Sequence, residues 1–270
     1  LLKLKNDFIR IIEIVKYLLI IAILALSFSA ISAQEVPVKS GGLNYSSAWM
    51  GSFRMRSDGW MVGGEYNQTR SFKRSLIYQL EIGEYKHPKQ KRQSNDPSGG
   101  IFGSDGIRPF VYGKQNNLFV MHLSAGQKHL LVEKARRNGV MLYLQYVGGL
   151  TLGLLKPYYL EVCPESGECT FDNLQTVRYI EGNENGFLNI SRIVGGAGFG
   201  KGWGELKFRP ALQAKFSFLF DWSKDDQFIK AIEIGAGIDG YFSKVPIMVQ
   251  DNKAYFINLY VGITMGKKKY

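Results

Sequence analysis

His122 and Ser124 stand two apart in a segment of alternating polarity. On a strand, residues two apart share a face. An imidazole and a hydroxyl on one face can attack an ester if a carboxylate orients the ring. Glu81 and Glu133 are the acidic residues that would serve as that partner. Phe119, Met121 and Leu123 take the opposite, apolar side, so the pair points away from any apolar medium the strand touches. That is the wrong side for a lipid substrate. His87 and His129 have no partner at ligand spacing, and no metal site is expected.

Other residues offer charge. Arg54, Glu65, Glu81, Lys128, Lys215, Glu233 and Asp239 fall on small or polar faces of alternating segments. Buried together, they must pair. Lys86, Lys89, Lys91 and Arg92 form a basic run, Lys86-His-Pro-Lys-Gln-Lys-Arg92. Such a run is either a solvated loop or a contact for lipid phosphates, including those of lipopolysaccharide. Cys163 and Cys169 enclose Pro-Glu-Ser-Gly-Glu. A local disulfide is the natural reading in an exported chain; a metal pair or two free thiols are the alternatives. The glycines between Gly195 and Gly204 lack the Lys-Ser/Thr offset of a phosphate loop. Tyr158, Tyr159 and Trp203 could form a platform for a sugar.

These residues need strands to position them. Tyr255, Ile257, Leu259, Val261, Ile263 and Met265 alternate with Phe256, Asn258, Tyr260, Gly262 and Thr264. Leu212, Ala214, Phe216, Phe218 and Phe220 alternate with Gln213, Lys215 and Ser217. Period-two alternation of this kind marks strands. The pattern predicts eight, over 44–56, 60–70, 75–86, 117–133, 139–155, 207–222, 228–243 and 253–266. Several reach the ~9–11 residues that cross a bilayer. Short links alternate with long ones, 87–116 and 156–206, as in an antiparallel up-and-down transmembrane β-barrel with periplasmic turns and outer loops. Segment 187–206 is read as outer loop with room for a short helix; a strand near Ile190–Val194 would raise the count and leaves ten strands open. Aromatics such as Trp49, Trp60, Tyr66 and Trp222 lie near strand ends, where interfacial girdles form.

The chain's 270 residues carry a net charge of +11. Four cations and two carboxylates before residue 17 precede an apolar run from Tyr17, which ends at Ser-Ala-Ile-Ser-Ala33. This is the layout of a secretory signal, residues 1–33, cleaved after Ala33; an uncleaved anchor is the alternative. Residues 34–270 then form the barrel domain with net charge +9. No cysteine lies near the cut, which argues against a lipoprotein. The remaining charge is dispersed, and the address is the envelope, so nucleic acid is not an expected partner.

The Ala33-Gln34 start, Tyr146-Val-Gly-Gly-Leu-Thr-Leu-Gly-Leu-Leu-Lys-Pro-Tyr158, and Lys244-Val-Pro-Ile-Met248 before the last strand resemble small outer-membrane β-barrel proteins of the Bacteroidota. The resemblance implies a barrel in the cell outer membrane, without cofactor. It also implies that the barrel-assembly machinery reads the strand Phe256–Lys267, although Lys267-Lys-Lys before Tyr270 departs from the usual ending. The function expected is non-enzymatic, with outer loops contacting external ligands or an envelope protein complex. Two alternatives stand beside it. One is a membrane-embedded hydrolase, because lipid A deacylase barrels use a His and a Ser two apart; His122 and Ser124 would carry it. The other is a small transport barrel.

Overall fold

A computed structural model of the chain describes residues 46–94, 108–133, 139–166, 169–223 and 227–269. The leader 1–33 and its cleavage point lie outside the described residues.

Eight long strands form one closed antiparallel barrel. They are β1 (Ser47–Arg56), β2 (Gly59–Ser71), β3 (Arg74–Tyr85), β6 (Asn116–Val132), β7 (Met141–Pro157), β11 (Lys207–Asp221), β12 (Phe228–Tyr241) and β13 (Tyr255–Lys269). Five shorter strands lie in the long connections: β4 (Arg92–Gln93), β5 (Phe110–Val111), β8 (Tyr159–Val162), β9 (Gln175–Arg178) and β10 (Ile193–Gly196). Each barrel strand pairs with its neighbour in the chain, and β1 closes on β13 from Ser47↔Lys269 to Arg56↔Tyr260. Closure removes the open edges that a flat sheet would leave. The shortest barrel strand has 10 residues and the longest 17, enough to cross a bilayer.

The alternation expected from sequence becomes an inverted polarity. Phe53, Leu80, Leu123, Leu150, Phe216, Ile234 and Leu259 are exposed on the outer wall. Arg54, Gln79, Glu81, Ser124, Lys215, Glu233 and Asn258, their alternating partners, are buried inside. A soluble sandwich turns its apolar faces toward each other. A barrel that turns them outward and fills its lumen with polar groups is built for lipid. This chain is a small β-barrel of the outer-membrane type.

Inward glycines allow the wall to curve tightly. A Cβ on Gly149 would stand 2.1 Å from the Leu123 carbonyl oxygen of the next strand, and one on Gly262 would meet the Arg54 side chain. Gly262 thus leaves the room in which the Arg54 guanidinium crosses the lumen.

The long connections gather at one end of the barrel, and short turns occupy the other. Segment 187–206 adds no strand to the wall. Its strand β10 pairs with β8 in a separate three-stranded sheet, β10-β8-β9. The expected short helix is represented by α1 (Glu184–Phe187) and by 3-10 turns at Ile190–Arg192 and Trp203–Glu205. The eight-strand count stands because this sheet stacks its own core. Phe110, Leu160, Val162, Phe187 and Ile193 are buried together, flanked by Tyr158, Val177 and Tyr179. The loops are therefore a cored cap.

Candidate functional site: a plugged lumen and a structured cap

The lumen is layered. At mid-height Arg54 binds three carboxylates. Its Nε and Nη2 donate to Glu233 at 2.9 and 2.6 Å, its Nη1 pairs with Glu81, and its Nη2 lies 3.9 Å from Glu65. Lys215 also pairs with Glu81 and donates to Gln79 at 2.8 Å. Lys128 donates to Glu65 at 3.0 Å. The Ser217 and Tyr260 hydroxyls donate to the other Glu233 oxygen at 2.8 and 2.9 Å. Each ion thus has several partners, which is what burial of charge demands.

A second cluster lies nearer the cap. Asp239 accepts from Tyr85 at 2.7 Å, Arg56 at 3.1 Å and Thr151 at 3.2 Å. The Arg56 guanidinium sits 4.0 Å over the Tyr85 ring and binds Asp58 at the rim. Apolar layers seal both ends. Met61, Leu118, Leu155, Phe256, Val245 and Ile247 close the cap end. Ala48, Met50, Leu219, Ile229 and Ala231 close the other. Val245 and Ile247 come from the link between β12 and β13, which dips inward. It is pinned there by Gln115 and Asn116 N–H groups donating to the Ile247 carbonyl at 2.8 and 3.1 Å.

The seven charges expected on inward faces from alternation, Arg54, Glu65, Glu81, Lys128, Lys215, Glu233 and Asp239, all lie in these two clusters. Arg56 was legible by the same parity as Arg54. Tyr85, Tyr260 and Gln79 were not, because an inward tyrosine or glutamine looks the same whether it serves a network or fills space.

His122 is fully buried inside the lumen. Its Nε2 lies 3.0 Å from the Tyr85 hydroxyl and 3.2 Å from Asp239. Ser124 instead receives a hydrogen bond from the Gln213 amide. Glu81 is 3.8 Å from His122 Nδ1, and Glu133 is exposed beyond the end of β6. The imidazole and hydroxyl share a face but make no hydrogen bond to each other, and neither touches the outer wall. His129 stacks on Tyr146, and His87 accepts from the Lys89 N–H. Among the described residues no group of three His, Cys, Asp or Glu is arranged to hold a metal.

Cys163 and Cys169 are joined as a disulfide. It packs with Val194 and Leu174 beneath the small sheet, and Arg192 donates twice to the Cys163 carbonyl, at 3.0 and 2.8 Å. Closing so short a ring removes about 2 kcal/mol of unfolded-chain freedom. A Cys163→Ser, Cys169→Ser chain is expected to be cut faster by protease within 158–206. Its barrel should keep the wild-type melting midpoint, since the disulfide packs against Val194, Leu174 and Arg192 of the cap. Limited proteolysis read beside thermal unfolding checks both halves.

The basic run divides. Lys86 and Arg92 line a hollow at the cap end, Lys89 pairs with Asp251 on another surface, and Lys91 is exposed. Tyr158, Tyr159 and Trp203 have separate engagements: with Val111 N–H, with Glu205, and stacked on Phe119. Tyr158 and Tyr159 both line the hollow.

No protein-family model matches the chain, and no curated protein does. Among solved structures it is similar to Ail, the attachment invasion locus protein of Yersinia pestis, in complex with the heparin analogue sucrose octasulfate. The identity is 7%, over 82% of this chain and 96% of that one, with a TM-score of 0.37. It is similar to the N-terminal β-barrel domain of Pseudomonas aeruginosa OprF (11% identity, 83% and 98% covered, TM-score 0.33). It is also similar to Neisserial surface protein A (9% identity, 85% and 99% covered, TM-score 0.40). The barrel is established by its own strand register and does not lean on these likenesses.

Proposed function

We propose that this chain is a non-enzymatic integral outer-membrane protein whose plugged barrel carries a structured cap into contact with external ligands or envelope partners. The observation that supports this is the division of labour in the fold. The lumen is spent on internal pairing and sealed at both ends, while the long connections build a cored, disulfide-stapled surface. Export by a cleaved leader, insertion by the barrel-assembly machinery through β13, and a relation to Bacteroidota barrels accompany this reading. The last is carried by the sequence segments quoted above. Lipids of the outer leaflet, lipopolysaccharide among them, are then the first neighbours of the cap's cations.

The two alternatives meet obstacles of geometry. A hydrolase would need Ser124 free to reach a lipid ester, and its hydroxyl is held inside the wall by Gln213. A transporter would need a continuous path, which Arg54 and its carboxylates cross at mid-height. In planar bilayers the purified barrel is expected to insert without conductance steps. Steady, ion-selective steps from the wild-type chain would overturn the plugged reading. A double Val245→Gly, Ile247→Gly chain should still show none, because the charged layer lies below that seal.

A further inference from the structure

At the cap end, a hollow of about 510 Å³ opens beside the barrel wall. Its floor comes from the strand tops. Glu84, Asn117 and Lys156 alternate there with the inward-facing Tyr85, Leu118 and Leu155, so they belong to the outer, lipid-side face. Its roof comes from the cap, with Arg92, Arg108, Tyr158 and Phe199. Lys86 and Lys114 complete it, giving five cations against one carboxylate, Glu84, among the described residues. Of these cations, Arg108 is 4.0 Å from Glu161, and Lys156 donates to the Phe199 carbonyl.

Lys156 is buried as well, against the Phe199 carbonyl and ring; Lys114 is the buried cation that no barrel strand carries. It is only 6% exposed. Its ammonium donates to the Gln90 amide oxygen at 3.4 Å and lies 5.4 Å from the Tyr158 ring, and it makes no ion pair with a described carboxylate. A buried ammonium without a counter-ion is costly. The mid-lumen cations Arg54, Lys128 and Lys215 all have counter-ions, so the fold is capable of supplying one. Burial, the largest cause, pulls the Lys114 pKa down to about 8; Glu84 opposes this, and Lys86, Arg92 and Lys156 add to the fall.

We propose that this hollow binds a phosphate-bearing group, and that the group is the headgroup of a phosphorylated glycolipid in the surrounding leaflet. Several cations converging on one cavity suit a multiply charged oxyanion. The lipid source follows from position. Directly below the floor, Ile82 and Met121 are exposed on the same outer face. A lipid whose chains run down that face presents its headgroup at this height. The proposal rests on the membrane reading above and names the ligand class of the cap.

The test uses the detergent-extracted full chain and native mass spectrometry, with bis-phosphorylated lipid A, its dephosphorylated form, and soluble glucose 1,6-bisphosphate as probes. Lipid A is expected to bind and to outcompete the dephosphorylated form. A Lys114→Gln chain should lose about ten-fold in affinity, the worth of one charge-assisted hydrogen bond. Because burial of Lys114 makes its variant prone to rearrangement, a Lys86→Gln, Arg92→Gln chain with both changes at exposed positions supplies a second reading and should also weaken binding. Lys89→Gln, whose partner is Asp251, should bind as wild type. Binding should fall as pH rises through about 8, because the Lys114 proton is then lost. Equal binding of phosphorylated and dephosphorylated lipid overturns the phosphate site. Equal binding by wild type and by both cation variants does so too. Soluble bisphosphate binding as tightly as lipid A overturns the lipid source. Heat-modifiable gel migration of the same sample reports separately on the membrane barrel, so its failure is not mistaken for an empty hollow.

Discussion

An Arg54→Ala chain is expected to lose about 3–5 kcal/mol of stability, the cost of breaking a buried ionic cluster by removing one partner. The guanidinium is the shared counter-ion of Glu233 and Glu81 and the neighbour of Glu65. Without it, three buried carboxylates face one another, and Lys215 and Lys128 remain as the nearby ammonium groups. Those two lysines are already engaged with Glu81, Gln79 and Glu65. Arg54→Lys should recover only part of the loss. A single ammonium cannot reproduce donation from Nε and Nη2 to Glu233 while Nη1 serves Glu81 and Ser52. Unfolding in urea, followed by the shift between folded and unfolded gel mobility, measures both variants. An Arg54→Ala midpoint equal to wild type would mean that the charges do not hold the lumen together. A triple replacement, Arg54→Met with Glu81→Gln and Glu233→Gln, should be milder than Arg54→Ala, because it removes the stranded charges along with the guanidinium.

Leu150→Arg is the second large effect, and its size depends on the solvent outside the wall. Leu150 lies mid-strand in β7, opposite Leu123 and Leu212 on the two neighbouring strands, and is 61% exposed. In water, exchanging an exposed leucine for arginine changes stability by about 0.5 kcal/mol or less. At the midplane of a bilayer the same change costs about 2–4 kcal/mol. Unfolding from lipid vesicles should therefore show the larger penalty. Phe208→Arg, on the same outward face near the cap end of β11, should cost much less, because charges near the interface cost about 0–1 kcal/mol. Equal, small effects at both positions would say that the apolar wall faces water.

The barrel itself was legible because alternation over ten or more residues is hard to produce by accident. The strands β11, β12 and β13 carry it without interruption, and their faces could be assigned from the residues alone. The cap was not legible in the same way. Strands β8, β9 and β10 have four residues each, too few for a period to declare itself. The stretch from Ile190 to Val194 looked like a candidate wall strand. Only Ile193 and Val194 of it belong to a strand, β10, which pairs with β8 through Ile193 and Val162. Hydrophobic pattern specifies burial, but does not say which core receives it. The His122–Ser124 pair shows the opposite limit. Parity placed both inside, correctly, but which neighbour each would meet depends on other strands, through Tyr85, Gln213 and Asp239. The hollow is further from sequence still. Its cations come from residues 86, 92, 108, 114 and 156, and no spacing connects them. Lys86 and Arg92 share the basic run with Lys89, yet Lys89 turns to Asp251.

The pairing of β1 with β13 sets an order on assembly. Every wall strand other than β1 and β13 meets neighbours on both sides that flank it in the barrel's chain order, whereas β1 must wait for the last strand to find its second partner. Seam contacts such as that of Ser46 with Lys269 join residues 223 positions apart, and folding slows as such separations grow. Until β13 docks, both seam strands expose unpaired backbone groups along ten residue pairs. Lipid offers those groups no hydrogen bonds. The open sheet is thus a species to be sheltered from the bilayer, and the seam is where insertion and folding must become a single event.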